Sequence, residues 1–122
     1  RAEFDSFAVV QTQPVWDRTQ AEVMVGLDAA DEVFRPTLQQ AHNYPLSFDV
    51  DALSAPFEKP TLVLAGRQDS MVGYQDAWAI YENYPRATFA VLDRAGHNLQ
   101  IEQATLFNAL VNEWLDRVEM ET

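Results

Sequence analysis

The fold of this chain is decided by residues 59–69, which read KPTLVLAGRQD. Residues 61–65 form a short apolar run with a β-branched residue, a pattern typical of a strand covered on both faces. Residues 88–92, TFAVL, repeat the pattern and predict a second buried strand. Between them, residues 73–84 carry apolar side chains at helical spacing and end at Pro85. Strand, helix and strand joined by short links predict a parallel pair in an α/β fold.

The strongest helix signal lies at residues 103–118. Its apolar side chains share one stripe, formed by Leu106, Phe107, Leu110, Val111 and Trp114. This predicts helices that flank the two parallel strands. Because a sheet of only two parallel strands is poorly covered, we expect further strands from the same polypeptide or from a partner.

Residues 1–58 carry weaker and less regular signals. We expect an extended start that Pro14 ends, and then a helix over residues 16–30. A second helix over residues 31–41 is expected to kink or restart at Pro36. The first half of the chain is therefore predicted to be a mainly helical segment.

Composition excludes several classes of protein. With 122 residues, of which 48% are hydrophobic, the chain is long enough for one compact domain and is unlike a disordered chain. A net charge of −11 repels a phosphate backbone and argues against nucleic acid as a partner. The sequence has neither a basic amphipathic stretch nor an apolar run of about 20 residues, so it gives no sign of a membrane partner. The chain lacks cysteine, which leaves the compartment open, with the cytoplasm favoured.

Asp69 and His97 are the candidate catalytic residues, because each follows one of the two predicted strands. The carboxyl ends of parallel strands meet at one edge of a sheet, so the two side chains are expected to converge. A carboxylate that accepts the Nδ1–H of an imidazole fixes its tautomer, and Nε2 can then take and return a proton. Taken singly, such an Asp is more often a turn former or helix N-cap, and a Gly-His pair a turn.

Other chemically active side chains have simpler interpretations. His42 lies where a helix is expected to stop and is interpreted as structural or exposed. Asp93 competes weakly for the acid role, but a turn or an ion pair with Arg94 is preferred. Glu102 is expected to begin or support the last helix, where a negative charge suits the helix dipole.

The chain contains no recognisable nucleophile. A triad hydrolase on such a sheet carries its nucleophile on a sharp turn, usually G-x-S-x-G. None of the 4 glycines is four positions from another, and none of the serines has small residues two positions away on both sides. Ser70, beside Asp69, is interpreted as a turn hydroxyl. The nucleophile is therefore expected upstream, and a start at Arg1 rather than Met fits a fragment or a processed product.

Residues 59–69, 84–87 (YPRA), 95–102 (AGHNLQIE) and 113–115 (EWL) together resemble the C-terminal third of an α/β-hydrolase. In that family the chain order is nucleophile, acid, histidine. The resemblance implies that Asp69 is the triad acid and His97 the base. It further implies a helical lid or cap segment at residues 1–58 and the C-terminal part of the hydrolase core at residues 59–122.

The function implied by the resemblance is hydrolysis of a carboxylic ester or related small carbonyl compound, with neither metal nor organic cofactor. The apolar lid residues Phe4, Phe7, Trp16 and Met24 would shape the substrate pocket. For any one of them, ordinary packing within the lid is the preferred interpretation. Within the family, a dehalogenase, an epoxide hydrolase, an acyltransferase or a C–C hydrolase remains open. A non-catalytic interaction module derived from the fold is the alternative outside it. By itself the chain is expected to be inactive and to self-associate, because it lacks a nucleophile and has an uncovered sheet edge.

Overall fold

A computed structural model describes residues 1–40 and 45–121 of the chain. His42, interpreted above as structural or exposed, lies outside the described residues. Within them, the fold is a two-stranded parallel sheet with flanking helices, preceded by a helical segment. The predicted α/β fold class is confirmed.

The N-terminal helical segment (residues 1–40) contains four short α-helices and one π-helical turn. They are α1 (Ala2–Phe7), α2 (Gln13–Thr19), the π turn (Gln20–Met24), α3 (Val25–Asp28) and α4 (Phe34–Leu38). Within residues 31–40, the helix predicted over residues 31–41 is limited to α4, and Ala41 lies outside the described residues. The side chain of Asp31 precedes α4 and accepts hydrogen bonds from the Val33 and Phe34 amides, both at 2.8 Å.

The prediction of an extended start was wrong, because residues 2–7 form helix α1. Phe4 and Phe7 are three positions apart, which places both on one face of a helix. Glu3 and Asp5 lie in the first turn, where the helix dipole favours acidic side chains. Pro14 opens α2 instead of breaking a strand, since the first turn of a helix does not need the N–H that proline lacks.

The C-terminal part supplies the sheet. Strand β1 (Thr61–Gly66) is followed by α5 (Tyr74–Ala79), a 3₁₀ turn (Tyr81–Asn83), β2 (Ala87–Leu92), α6 (Leu99–Glu102) and α7 (Ala104–Glu119). β1 and β2 are parallel, and their register runs from Thr61 opposite Ala87 to Gly66 opposite Leu92. The two strands therefore end side by side, at one edge of the sheet.

Helix α7 holds the other edge of the sheet, where the strands begin. The indole Nε1–H of Trp114 donates a 2.9 Å hydrogen bond to the carbonyl of Pro60, just before β1. The guanidinium of Arg117 donates to the carbonyl of Arg86 and to the hydroxyl of Thr88, at 3.3 and 3.0 Å. Helix α7 thereby anchors the starts of both strands relative to each other.

The most deeply buried apolar cluster joins the N-terminal helical segment to α6. Phe4 and Ile101 are 2% and 3% exposed and pack together with Val15. The rings of Phe4 and Trp16 meet edge to face, with centroids 5.0 Å apart. This packing holds the helical segment against the part of the chain that follows β2. No helix within residues 1–40 and 45–121 is long and apolar enough to span a lipid bilayer.

Candidate active site

The candidate site is built by two neighbouring loops, the β1 loop (residues 67–73) and the β2 loop (residues 93–98). Beyond the last strand pair, the amide of Arg67 donates to the carbonyl of Leu92 at 2.8 Å. The amide of Gln68 then donates to the carbonyl of Ala95 at 3.0 Å. Backbone hydrogen bonds therefore continue past the sheet and hold the loops together.

Asp69 and His97 meet where these loops face each other. Asp69 Oδ2 lies 3.2 Å from His97 Nδ1, as the shared sheet edge predicts. The other carboxylate oxygen, Oδ1, accepts hydrogen bonds from the amides of Met71 and Val72 at 2.8 and 3.1 Å. The Asp69 side chain is only 8% exposed, whereas the His97 side chain is 46% exposed. The acid is thus fixed and enclosed, and the imidazole remains open on its other side.

The electrostatics keep Asp69 ionised. Burial by itself would raise the pKa of Asp69, but the Met71 and Val72 amides and the His97 ring outweigh it, and the net effect lowers the pKa below its ordinary value. An ionised carboxylate can only accept hydrogen bonds, so Nδ1 of His97 must carry the proton in the neutral ring. The atom left to exchange protons is Nε2.

A cavity of about 390 Å³ lies beside this pair. Its walls come from both halves of the molecule, with Glu3, Phe7, Val23, Leu27 and Arg35 from the N-terminal helical segment and Met71, His97 and Asn98 from the loops. Of the four aromatic and methionine residues predicted to shape a pocket, Phe7 lines this cavity. Phe4 is instead buried in the core and packs against Trp16.

Gln68 helps to hold the two loops of the site together, a role that the sequence analysis did not predict. Its side-chain amide donates to Asp93 Oδ1 at 2.6 Å, and its oxygen accepts from the amide of Ala95 at 3.2 Å. One side chain thereby connects the β1 loop to both ends of the turn that leads to His97. The Gln68 hydrogen bond is also the main cause that lowers the pKa of Asp93, followed by the amide and the positive charge of Arg94.

Glu102 was predicted to begin or support the last helix, and the structure shows that it does not begin it. It is the final residue of α6, and α7 begins two positions later, at Ala104. Its carboxylate accepts hydrogen bonds from the backbone amides of Gly96, Val9 and Val10, at 2.5, 2.6 and 3.0 Å. Two of these donors are more than 90 positions away along the chain, so no local pattern could have indicated them.

Metal ligands do not gather anywhere in the described part of the chain: no three His, Asp or Glu side chains there lie close enough to hold an ion.

The known proteins to which this chain is similar are all hydrolases by name. The chain is 30% identical over 84 residues to RutD of Stutzerimonas stutzeri A1501, a candidate carbamate hydrolase, and the match covers 67% of this chain and 32% of RutD. It is 31% identical over 99 residues to the 2-hydroxymuconate semialdehyde hydrolase of Pseudomonas putida, covering 80% of this chain and 34% of that enzyme. No family model matches the chain. The chain spans about a third of the length of these curated relatives.

A solved structure extends the similarity to nearly the whole fold. The α/β superfamily hydrolase of Oenococcus oeni PSU-1 superposes on 97% of this chain with a TM-score of 0.86 and 28% sequence identity. The match takes up 43% of that protein. These sequence relatives and this shared architecture show that the chain belongs to the α/β-hydrolase family, although it spans only part of the length of the members it matches.

Proposed function

We propose that this chain supplies the acid and the base of a Ser-Asp-His triad in an α/β-hydrolase that cleaves small carboxylic esters or related carbonyl compounds. The observation that carries the proposal is the 3.2 Å contact between Asp69 Oδ2 and His97 Nδ1 at the shared end of two parallel strands. The nucleophile, most simply a serine, lies upstream of this sequence.

In the proposed reaction His97 moves protons and Asp69 orients it. Nε2 of His97 takes the proton of the serine hydroxyl as the oxygen attacks the carbonyl carbon, and then gives it to the leaving group. In the second half, Nε2 takes a proton from the water that attacks the acyl-enzyme and returns it to the serine. Asp69 holds Nδ1–H and stabilises the imidazolium that forms in each half.

The N-terminal helical segment is proposed to be the lid over this centre, within a lid region of residues 1–58. It provides five of the residues that line the cavity beside His97, including one cation, Arg35, and one carboxylate, Glu3. A cavity of about 390 Å³ with mixed apolar and charged walls suits a small polar substrate. The names of the relatives support a carbonyl substrate, because a carbamate and a semialdehyde both contain a carbonyl group.

A C–C hydrolase is the second candidate within the family, favoured by the similarity to 2-hydroxymuconate semialdehyde hydrolase. The same acid and base would serve both reactions. By itself the 122-residue chain is proposed to be inactive, because its base has no nucleophile to activate.

The test uses the complete product of the encoding gene. A short-chain aryl ester, an aryl carbamate and 2-hydroxymuconate semialdehyde are offered as substrates, and the preferred one is used to compare variants. His97→Ala is expected to lower kcat by at least about a hundredfold, the ordinary contribution of a general base. Asp69→Asn is expected to act in the same direction, because an amide no longer selects the Nδ1–H tautomer.

The chain offers a control in its second histidine, since His42→Ala removes an imidazole from the sequence and keeps both Asp69 and His97. Turnover that is unchanged in His97→Ala would contradict the triad. Absence of hydrolysis of every substrate by the complete protein would instead favour a non-catalytic interaction module.

A further inference from the structure

The feature that the triad leaves unexplained is the carboxylate of Glu102. Three backbone N–H groups converge on it, from Gly96 in the β2 loop and from Val9 and Val10 in the N-terminal helical segment. The residue is half-buried, so the carboxylate is partly shielded from water. Hydrogen bonds from amides to a carboxylate are stronger than those to a neutral acceptor. The cluster is therefore a rigid junction between two distant parts of the chain.

One branch of the junction lies beside the proposed base. Gly96 immediately precedes His97, and its amide is the donor to Glu102 Oε2. A Cβ at Gly96 would lie 3.1 Å from a methyl group of Val9, so the β2 loop and the segment at Val9 are already in tight contact. Glu102 and Val9 therefore fix the position of Gly96, and through it the backbone of His97.

The other branch leads to the cavity. Val9 and Val10 lie just beyond Ala8, the residue that caps α1, and residues Glu3 and Phe7 of that helix line the cavity beside His97. Ile101, the neighbour of Glu102, packs against Phe4 of the same helix. Ile101 therefore holds α1 by apolar packing, and the adjacent Glu102 holds the residues that follow α1 by hydrogen bonds.

We propose that Glu102 is a positioning residue that holds His97 and the α1 wall of the substrate cavity in one fixed arrangement. This inference rests on the proposed function, since it presumes that His97 is the base. A neutral amide could not replace the carboxylate, because all three partners are donors and an amide nitrogen would face at least one of them. Glu102 does not touch the substrate and acts only through Gly96, Val9 and Val10.

The test compares Glu102→Gln with Glu82→Gln, in which an exposed glutamate undergoes the same loss of charge. In the complete gene product, Glu102→Gln is expected to lower kcat at least tenfold and to raise KM several-fold, because both His97 and the cavity wall shift. Simple loss of folded protein would lower the apparent kcat and leave KM unchanged. Active-site titration corrects kcat for the folded fraction.

A second measurement separates this inference from the proposed function. In the 122-residue chain, ¹⁵N NMR reports the tautomer of His97 and the environment of the Gly96 amide. Glu102→Gln is expected to shift the Gly96 amide resonance and to reduce the fraction of Nδ1–H tautomer, whereas Glu82→Gln changes neither. If the spectra of both variants match the wild type at these groups, the inference is overturned, whether or not the complete protein is a hydrolase. If the wild type shows hydrolysis that depends on His97 and Glu102→Gln keeps wild-type kcat and KM, it is overturned as well.

Discussion

Gly66 and Gly96 pack backbone against backbone at the end of the sheet. A Cβ built on Gly66 would lie 2.6 Å from the carbonyl oxygen of Ala95 and closer still to that of Gly96. No side chain therefore fits at the last residue of β1, and the β2 loop lies directly over it. This close approach helps bring His97 within reach of Asp69.

Replacing Gly66 by Ala is expected to push the β2 loop away from β1. Overpacking of this kind ordinarily costs about 1–3 kcal/mol of stability, because backbone atoms cannot move aside as a flexible side chain would. The free energy of unfolding in urea measures the loss, and the ¹⁵N spectrum of His97 reports whether its contact with Asp69 survives.

Gly26→Ala is the matched control for this substitution. Gly26 lies within α3, and an added Cβ there meets no atom within 4 Å. Alanine in a helix is more favourable than glycine by about 0.5–1 kcal/mol, so this variant is expected to be slightly stabilised. Equal stability of the two variants would contradict the steric interpretation of Gly66.

Gln68 is expected to stabilise the two loops through its amide. Gln68→Ala removes the hydrogen bonds to Asp93 and Ala95 and should lower the free energy of unfolding by about 1 kcal/mol. Gln68→Glu should destabilise more than Gln68→Ala at pH 7, because a second carboxylate then faces Asp93. The difference should shrink as the pH falls and the carboxylates become protonated. Urea unfolding of both variants at pH 7 and pH 4 tests this, and equal stability at pH 7 would contradict it.

The part of the site that the sequence predicted depends on local patterns. Two apolar runs indicated β1 and β2, and parallel strands necessarily end at one edge, so the approach of Asp69 and His97 followed from their positions alone. The family relationship then agreed with that expectation. The catalytic roles of the two residues remain predictions.

What the sequence did not predict depends on contacts between distant residues. Helix α1 is stabilised by the burial of Phe4 against Ile101, which no window of residues 1–14 can reveal. The role of Glu102 depends on donors at the opposite end of the chain. The bridging role of Gln68 appears only when β2 is set in register with β1, since both of its partners follow β2.

The backbone at Arg94 is strained, and a substitution by glycine can relieve this strain. Its φ of 53° lies in the left-handed region, which costs an ordinary residue about 1–2 kcal/mol but glycine very little. Arg94→Gly is therefore expected to raise the free energy of unfolding, by about 0.5 kcal/mol after the greater flexibility of glycine in the unfolded chain is counted. Arg94→Ala keeps the strain while removing the charge, and it should give no gain. Thermal and urea unfolding distinguish the two, and a gain in both variants would point to the charge instead.

Asp69 should make stability depend on pH in the acid range. The pKa of Asp69 is lowered in the folded protein, so the unfolded chain binds a proton at this carboxyl more readily than the folded one does. The stabilisation is therefore complete above the ordinary aspartate pKa of about 3.9 and is lost as the pH falls through the lower folded value. Asp69→Asn should be less stable than the wild type at pH 7, and this deficit should narrow below about pH 4.

The control for this pH dependence is Asp116→Asn, which removes one exposed carboxylate from α7. Urea unfolding between pH 3 and pH 7 gives the difference between each variant and the wild type. A deficit of Asp69→Asn that is constant over this range would show that the carboxyl contributes no linked protonation.

The 122-residue chain is expected to self-associate through apolar surface. In the described residues each strand has a single partner, which leaves a free edge on both sides of the sheet. Trp78, Met71 and Val72 are 58%, 69% and 58% exposed, although such side chains ordinarily favour burial. Light scattering coupled to size exclusion should therefore give a mass above 13.9 kDa that rises with protein concentration.

Because copies with a net charge of −11 repel one another, raising the salt to about 0.5 M should screen the repulsion and increase the mass further. A mass that falls with salt would mean that charge pairs hold the copies together, and a constant 13.9 kDa would contradict association itself.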